Sequence, residues 1–495
     1  MDFIFLAVFF LLPLYYFAMY KNKKALVLGS GRSGRAAEAL LRTDGTPAVT
    51  VCEAITPDYR YEDLPFIPEI AIVSPGFSQD HPWIQDLKKR GIPLISELEF
   101  GWSRRNCPVI AVTGSNGKST VVKWIVDMLE QAGQTAIPCG NYGLPVSAAV
   151  MLPEIPDWLV VEVSSFQLEI VEHFRPDIGV LLNVLPNHLD RHGDMETYNS
   201  LKLRLFENMQ RTDTAILPFT RTPGVEPSGG NLPEIGNPTP TIAEHSSLRG
   251  TADGGHPAKR RESIRVHSQL VTPDLLAKAD PFAVGFKTFG TELGADFRYE
   301  DGLVFFENQS VGLRNTYFSN DVLGPAVAAG VAVAQACGLP VEAVTASARA
   351  FQPLPHRMEL VAEINGVRFI DDSKATNLAG MCAALRMTTG PIHLIVGGRA
   401  KETDLSFAKD LLAQQVSRLY LIGEASKAMQ AVWADSVECL PCETLEQAVC
   451  AAWERAVRGE TVLLSPACTS FDQFRSFNER GEVFVCEVNR LKKRV

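Results

Sequence analysis

The sequence has 495 residues, which is enough for about two to four domains. With 46% hydrophobic and 21% charged residues, its composition is that of a globular protein. The net charge of −10 argues against a broad basic surface, so no nucleic-acid partner is expected. The 10 cysteines show no disulfide spacing, which is typical of reduced thiols in a cytoplasmic enzyme. Cys439 and Cys442 lie closest together, but no second pair or histidine cluster completes a zinc site.

The N-terminus begins with an uncharged apolar run over residues 3–20, followed by Lys21, Lys23 and Lys24. Such a run is at the short end of the range for a membrane-spanning helix, and the lysines would stay in the cytoplasm. A cleaved signal peptide is disfavoured because no positive region precedes the run. Two interpretations of residues 1–21 remain open: a membrane anchor, or a start placed too far upstream. Membrane contact is expected only under the first.

A first unit begins with a strand at Ala25–Leu28, a glycine turn at residues 29–34 and an alanine-rich helix. A second strand ends at Glu53, about 20 positions on, as in a dinucleotide-binding fingerprint. The glycines let the backbone approach a diphosphate at the helix N-terminus, and any nucleoside diphosphate suits this geometry. Ser74 and Gly76 follow the strand Ile70–Val73 and are expected at the same carboxyl edge of the sheet.

The second unit carries the strongest single signal, a glycine-lysine loop between the strand Val109–Thr113 and a helix predicted over 121–131. Such a loop supplies backbone N–H donors, a lysine for phosphates and a hydroxyl for Mg²⁺, here Lys118 and Ser119. It is shorter than the common P-loop, because Val112 stands where that spacing needs glycine. The predicted phosphate loop consists of Gly114, Ser115, Asn116, Gly117, Lys118, Ser119 and Thr120.

Two further residues follow neighbouring strands of this unit. Glu162 ends the strand Trp158–Glu162, and His188 comes just after a strand predicted over 178–184. Both are expected at the carboxyl edge of the sheet, where the phosphate loop also opens. A carboxylate and an imidazole beside nucleotide phosphates suit Mg²⁺, which takes few protein ligands and keeps several waters.

The rest of the chain predicts a long insertion and then a third unit. Residues 219–280 are rich in Pro, Gly, Ser and Thr and lack apolar periodicity, so a largely disordered insertion is expected. The second unit also contains a helix predicted over 195–209, strand-like alternation over 282–306 and a helix predicted over 325–337. The third unit has strands predicted at 367–370, 392–396, 419–422 and Thr461–Leu464, which alternate with helices.

The predicted fold class is α/β, with three domains in series and mostly parallel sheets. These are a Rossmann-like domain at 22–106, a P-loop-type domain at 107–353 and a Rossmann-like domain at 354–495.

Seven motifs together resemble the Mur ligase family, over the chain from Lys24 to near the C-terminus without the insertion. They lie at residues 112–120, 140–145, 162–169, 187–192, 354–359, 372–377 and 464–474. The first is shared by all Mur ligases and by folylpolyglutamate synthases. The segments Asp-Ser-Lys-Ala-Thr-Asn at 372–377 and Ser-Pro-Ala-Cys at 465–468 resemble the branch that adds D-glutamate.

The resemblance implies an ATP- and Mg²⁺-dependent, ADP-forming ligase. It would join D-glutamate to UDP-N-acetylmuramoyl-L-alanine through an acyl phosphate, a cytoplasmic step of peptidoglycan synthesis that serves cell shape and cell division. A monomer is expected. A sister Mur ligase or folylpolyglutamate-type ligase with another acceptor is the alternative. A nicotinamide oxidoreductase is disfavoured because no hydride-transfer acid matches the first unit, and a nonenzymatic scaffold is disfavoured by the intact phosphate and metal residues.

The resemblance also implies roles for individual residues. ATP would contact the phosphate loop together with His356, Arg357 and Asp372. Mg²⁺ would be held by Ser119, Glu162, His188 and a carbamylated Lys202. The UDP substrate would contact Gly31, Arg32, Ser33, Gly34, Ser74, Gly76, Asn141, Ser164 and Gln167. D-Glutamate would contact Lys374, Thr376, Lys401, Ser470 and Phe477.

The chain departs from the family pattern at two places. Ala54 and Ile55 stand where the family often has a Thr-Arg pair, which affects the expected uracil contacts. Asp321 and Gly324 stand where an asparagine pair is usual. Because glycine has no side chain to contact the base, a different nucleotide affinity or base preference is expected, and the sequence shows no compensating residue.

Overall fold

The computed structural model describes residues 20–51, 60–219, 285–401 and 404–494. Nearly all of the predicted leader and insertion lies outside these residues, as do Glu53, Ala54 and Ile55. No helix within the described ranges is long and apolar enough to cross a membrane. The described chain forms three β-sheets, each flanked by helices.

The first sheet has four described strands in the order β2-β1-β3-β4, all parallel. The strands are β1 (Ala25–Leu28), β2 (Ala48–Val51), β3 (Ile70–Val73) and β4 (Leu94–Ser96). The helices are α1 (Arg32–Thr43), α2 (Pro82–Lys89) and α3 (Glu97–Trp102), with a 3₁₀ turn at Tyr61–Asp63. Helix α1 packs directly on the turn after β1, because a Cβ at Gly34 would lie 1.7 Å from the carbonyl oxygen of Gly29. Only glycine allows this approach.

The second sheet has nine described strands in the order β13-β12-β11-β10-β9-β8-β5-β7-β6. They are β5 (Val109–Thr113), β6 (Ala136–Gly140), β7 (Trp158–Glu162), β8 (Ile178–Leu181), β9 (Thr214–Pro218), β10 (Gly285–Gly290), β11 (Phe297–Glu300), β12 (Leu303–Phe306) and β13 (Gln309–Gly312). The helices are α4 (Lys118–Gln131), α5 (Val146–Ala149), α6 (Ser165–Leu168), α7 (Leu189–His192), α8 (Met195–Leu203), α9 (Gly324–Ala336) and α10 (Val341–Ala350). The pairing is parallel except at β11–β12 and β12–β13. Central β5 is buried along its whole length, as expected for a strand covered on both faces.

The third sheet has six described strands in the order β14-β15-β19-β16-β17-β18, antiparallel only at β14–β15. They are β14 (Glu359–Ile364), β15 (Val367–Asp371), β16 (Ile392–Gly397), β17 (Val416–Ile422), β18 (Cys439–Pro441) and β19 (Thr461–Leu464). The helices are α11 (Leu378–Met387), α12 (Lys409–Gln415), α13 (Ser426–Trp433), α14 (Leu445–Trp453) and α15 (Phe477–Lys492), with a 3₁₀ turn at Ser406–Ala408. Cys439 and Cys442 pack against apolar clusters on opposite faces of this sheet, so they do not form a common metal site.

The α/β fold class with mostly parallel sheets is confirmed, and several predicted elements differ at their ends. Helix α4 begins at Lys118, because the chain enters the helix directly from the left-handed Gly117. Strand β8 ends at Leu181, since the backbone then turns toward the phosphate loop. Helix α8 ends at Leu203 and continues as a 3₁₀ turn, Arg204–Phe206. The domain boundaries near 107 and 354 remain predictions.

Candidate active site

The phosphate loop closes around its own lysine. Gly114 and Gly117 have φ values of 155° and 83°, in the region that favours glycine. The Nζ of Lys118 donates hydrogen bonds to the carbonyl oxygens of Gly114 (2.8 Å) and Ser115 (3.0 Å). Burial lowers the pKa of Lys118, and the nearby Arg357 lowers it further, while Glu162 opposes both. The loop lies at the N-terminus of α4, where amide groups and the helix dipole favour an anion.

A second segment, which follows β8, holds this loop in place. The Oδ1 of Asn183 accepts hydrogen bonds from the amides of Ser115 and Asn116, both at 3.0 Å, and its Nδ2 donates to the Asn116 carbonyl at 3.1 Å. The hydroxyls of Ser115 and Tyr198 lie 3.2 Å apart. Asn183 was not among the predicted site residues, because it falls inside the strand predicted over 178–184, whereas β8 ends at Leu181.

A hydroxyl, a carboxylate and a guanidinium meet at the mouth of the loop. The hydroxyl of Ser119 donates to Oε2 of Glu162 at 2.5 Å, and the Nδ2 of Asn141 donates to Oε1 at 2.6 Å. The Nη2 of Arg357, from the third domain, donates to the Ser119 hydroxyl at 2.8 Å. Glu162 is buried, and a Cβ at Gly140 would lie 2.4 Å from its carbonyl oxygen. The structure thus brings together four of the predicted residues from four separate segments of the chain.

Lys202 lies in the interior beside the phosphate loop. Its side chain is fully buried, and its Nζ donates to the carbonyl oxygen of Gly114 at 2.9 Å. The Nζ also lies 4.5 Å from the ring centroid of Tyr198. Burial lowers the pKa of Lys202 well below its usual value, and repulsion from Lys118 adds to this. The neutral form of the amine is therefore more accessible here than in a lysine exposed to water.

His188 lies on the same side of the sheet, in a left-handed backbone conformation with φ of 56°. Its ring packs edge to face against Phe166, with the centroids 4.7 Å apart. His192, one helical turn on, is buried, and its Nε2 lies 3.0 Å from the hydroxyl of Ser165. The metal role of His188 remains a prediction.

The third domain contributes a histidine–aspartate pair that anchors the segment preceding β14. The Nδ1 of His356 lies 2.7 Å from Oδ2 of the buried Asp371, and this hydrogen bond raises the pKa of His356. A Cβ at Gly481 would lie 2.2 Å from the same nitrogen, so helix α15 approaches the imidazole closely. Because His356 is held here, its neighbour Arg357 projects toward Ser119 of the second domain.

Asp372 and Lys374 lie on the loop after β15. Burial raises the pKa of Asp372 to about 7, although the hydroxyl of Ser465 donates to its Oδ2 at 2.9 Å. The Nζ of Lys374 lies 3.9 Å from the ring centroid of Phe477. Burial lowers the pKa of Lys374 to about 8, and repulsion from Arg357 contributes.

The remaining residues predicted for D-glutamate differ in burial. Ser470 is buried, Thr376 is half-buried and Lys401 is exposed. The charge of Lys401 lowers the pKa of Lys374, so the two cations lie near each other. A further buried arginine, Arg480, which the sequence did not reveal as important, donates from Nε to the Ser373 hydroxyl at 3.0 Å.

The residues predicted for the UDP substrate lie at the carboxyl edge of the first sheet and on the facing part of the second domain. Gly31 and Arg32 are exposed, and the Nη2 of Arg32 donates to the carbonyl oxygen of Gly143 at 2.6 Å. Ser33 is half-buried, Gly34 is buried and Gly76 is exposed.

A small cleft separates these two domains. Ser74 and Phe77 line one side, Phe166 and Gln167 the other. Gln167 and Ser164 are also paired with each other, since the amide of Ser164 donates to Oε1 of Gln167 at 2.9 Å and both form a helix cap.

Arg191 connects the two walls of this cleft. Its Nη1 and Nη2 donate to the carbonyl oxygens of Pro75 (3.0 Å) and Phe77 (2.9 Å), and its guanidinium also pairs with Glu169 at 2.8 Å. The guanidinium carbon lies 4.2 Å from the ring centroid of Phe166. The first domain is therefore held against the second at its predicted substrate-binding edge.

The departure at Gly324 has a steric explanation. A Cβ at Gly324 would lie 2.3 Å from the ring of Tyr299, which packs directly on the start of α9. Any larger residue would displace this buried ring. Asp321 is exposed in the preceding turn, and the side chain of Asn320 accepts from the amide of Leu323 at 2.9 Å.

The fold and this geometry define a class of protein: a three-domain α/β enzyme with a nucleotide-phosphate loop in its central domain, to which the third domain contributes cationic side chains. The family model described as Mur ligase middle domain matches residues 112–224. The model described as Mur ligase, glutamate ligase domain, matches residues 356–468.

Two curated relatives carry the name UDP-N-acetylmuramoylalanine–D-glutamate ligase. The protein from Koribacter versatilis is 33% identical over 94% of this chain and 96% of its own length. The protein from Acidobacterium capsulatum is 34% identical over 94% of this chain and 95% of its own length. The chain belongs to the Mur ligase family.

Solved structures share the fold at low sequence identity. UDP-N-acetylmuramate-alanine ligase MurC from Thermotoga maritima has a TM-score of 0.55 and 14% identity, covering 96% of this chain and all of that one. MurF ligase from Thermotoga maritima, solved in complex with ADP, has a TM-score of 0.56 and 17% identity, covering 86% of this chain and 96% of that one. At these identities the likeness concerns the fold alone.

Proposed function

We propose that this protein is an ATP-dependent, ADP-forming ligase that joins D-glutamate to UDP-N-acetylmuramoyl-L-alanine in peptidoglycan synthesis. The observation that carries the proposal is the meeting of the phosphate loop, Glu162 and Arg357 at one point between two domains. The names of the full-length relatives and the segment 372–377 support D-glutamate as the acceptor.

The reaction must bring two anions together, a substrate carboxylate and the γ-phosphate of ATP. The carboxylate oxygen forms a bond to the γ-phosphorus and ADP leaves, which produces an acyl phosphate. The amine of D-glutamate then bonds to the acyl carbon, loses a proton and expels phosphate. Lys118, the loop amides and Arg357 surround this point, and their positive charge offsets the repulsion between the anions.

The residues at the loop mouth fit Mg²⁺. The hydroxyl of Ser119 and the carboxylate of Glu162 converge within 2.5 Å, and oxygen donors of this kind suit a hard cation. When bound, the ion would neutralise charge on the phosphate oxygens. We assign Ser119 and Glu162 to this ion, with His188 and Lys202 as further ligands. The lowered pKa of Lys202 makes the neutral amine more accessible, and this is the form that adds carbon dioxide, with loss of a proton, to become a carbamate.

D-Glutamate would bind in the third domain, where cations and hydroxyls converge around Lys374. A dicarboxylate amino acid needs such partners, and Lys401, Thr376 and Ser470 supply them. Phe477 would form the apolar wall, since its ring already lies under the Lys374 ammonium.

We further propose that the protein acts in the cytoplasm as a monomer, with domains at 22–106, 107–353 and 354–495. All cysteines in the described part of the chain are free thiols, which suits a reducing compartment. The role in cell shape and cell division follows from the proposed place in peptidoglycan synthesis.

Phosphate release with ATP, Mg²⁺ and UDP-N-acetylmuramoyl-L-alanine tests the function. D-Glutamate, L-glutamate, L-lysine and meso-diaminopimelate should be compared as acceptors. Release that depends on D-glutamate alone is the expected result. Release with another amino acid would support the ligase activity but replace D-glutamate as the acceptor, which is the alternative of a sister ligase. Absence of release with every acceptor in correctly folded protein would contradict the proposal.

A further inference from the structure

A column of aromatic rings runs from the core of the second domain to its surface beside the phosphate loop. Trp124, on helix α4, lies 4.6 Å from Phe318, and Phe318 lies 4.6 Å from Phe351, measured between ring centroids. Tyr317 completes the column at 5.3 Å from Phe351 and 5.5 Å from Phe318. Trp124 and Phe318 are fully buried, whereas Tyr317 is half-buried, so its ring is the end that faces outward.

This outer ring lies next to the cationic and carboxylate groups of the third domain. Burial raises the pKa of the Tyr317 hydroxyl, the nearby Asp372 raises it further, and Arg357 lowers it. Arg357 is the residue that bonds to Ser119 of the phosphate loop. The ring of Tyr317 packs on Phe351, which precedes Arg357 by six residues, and the Nζ of Lys123 on α4 lies over the same Phe351 ring. Tyr317 is therefore near the first two turns of the helix that follows the phosphate loop.

The hydroxyl of Tyr317 has no hydrogen-bond partner among the residues that the structure describes, while the backbone carbonyl of Tyr317 accepts from Asn320 at 3.1 Å. The ring of its neighbour Phe351 makes a cation–π contact with Lys123, whose Nζ lies 4.7 Å from the ring centroid. Packing against Phe318 and Phe351 thus fixes one side of the Tyr317 ring, and the Tyr317 hydroxyl is available to bind a ligand.

We propose that Tyr317 binds the nucleoside part of ATP, with its ring against the base and its hydroxyl hydrogen-bonded to the nucleoside. The inference rests on the proposed ATP-dependent function. Arg357 bonds to Ser119 of the phosphate loop, and its charge acts on two half-buried tyrosines, Tyr142 and Tyr317. Of the two, Tyr317 is the one whose ring packs on the aromatic column. A neutral phenol offers little to a phosphate, whereas an aromatic face and a free hydroxyl suit a planar base with polar edges.

The proposed role of Tyr317 also relates to the start of α9, where Gly324 stands in place of the asparagine that is usual in the family. Gly324 has no side chain to offer the nucleotide, because the ring of Tyr299 occupies that space. Tyr317 lies on the segment that leads into the same helix and provides a polar, aromatic group instead.

Direct titration of ATP and of inorganic tripolyphosphate, each with Mg²⁺, tests the inference without any acceptor substrate. Tyr317→Leu should weaken ATP binding about tenfold, because stacking of a base on an aromatic ring contributes about 1–3 kcal/mol. Tyr317→Phe keeps the ring and its packing and should weaken ATP binding about threefold through the lost hydrogen bond. Tripolyphosphate should bind both variants as it binds the native protein.

Tyr61→Ala is the matched control, since Tyr61 is a half-buried tyrosine in the first domain that contacts Arg90. It should leave both affinities unchanged. Equal loss of ATP and tripolyphosphate binding in Tyr317→Leu would overturn the inference, because it would mean that Tyr317 only supports the phosphate loop. Native ATP affinity in both Tyr317 variants would overturn it as well. If phosphate release with D-glutamate fails while ATP binding is lost as expected, the proposed function is wrong and the nucleoside site stands.

Discussion

Asn183→Ala removes the side chain that ties the phosphate loop to the end of β8. Three hydrogen bonds are lost, two from the amides of Ser115 and Asn116 at 3.0 Å and one to the Asn116 carbonyl at 3.1 Å. The Ser115 amide keeps its bond to the backbone carbonyl of residue 183 at 3.0 Å, so about two bonds are lost in full, and at about 1 kcal/mol each the loop loses roughly 2 kcal/mol of ordering. If ATP binding must restore that order, its affinity falls about 30-fold, since each 1.4 kcal/mol is tenfold.

The assay is phosphate release as a function of ATP concentration, together with titration of ADP and Mg²⁺ in the absence of acceptor. KM for ATP should rise about 10- to 100-fold, while KM for D-glutamate stays near its native value. Asn208→Ala is the control, because the Asn208 side chain donates to the Glu172 and Phe174 carbonyls, away from the loop. A folded Asn183→Ala protein with native affinity for both nucleotides would refute the reasoning.

Three further predictions concern residues already placed at the site. Lys118→Ala should lower kcat at least about 100-fold by removing a charge that faces the phosphates, and near-native turnover in the phosphate-release assay would count against the loop assignment. Lys202→Ala should be inactive and partly rescued by added short carboxylates; no rescue in any buffer would argue against a carbamate. Because burial lowers the pKa of Lys374 to about 8, its positive charge is lost as the pH rises through that value, so KM for D-glutamate should increase above about pH 8. Lys374→Arg should remove this rise, and an unchanged pH profile would exclude Lys374 as the carboxylate partner.

Local segments of the fold were predictable from the sequence because their causes are local. The buried run at β5 and the glycine-lysine loop predicted a strand, a turn and a helix, and the structure has them in this order at Val109–Thr113 and Lys118–Gln131. The predicted strands Ala25–Leu28, Ile70–Val73 and Thr461–Leu464 match the structure at both ends. Each of these strands is specified by a run of apolar residues and by the glycines or polar residues at its ends, all within a few positions of each other.

The site depended on contacts between segments far apart in the chain. Ser119 and Arg357, separated by 238 positions, form a hydrogen bond, and no local pattern ranks this arginine above the others in the sequence. The residues of the third domain were found through motifs that resemble the Mur ligases, and their roles remain predictions. Asn183 was missed because it falls inside the strand predicted over 178–184, and an asparagine carries no local sign of which backbone amides it will meet.

The sequence by itself determined the three α/β units, the phosphate loop and the family to which the chain belongs. Tertiary structure alone decided which side chains share a site: the pairing of Ser119 with Glu162, the depressed pKa of Lys202 and the position of Tyr317 beside Arg357. The physical reason is that periodicity and turn chemistry act over a few residues. Burial and charge–charge interactions, in contrast, depend on distances that exist only after the sheets and helices have packed.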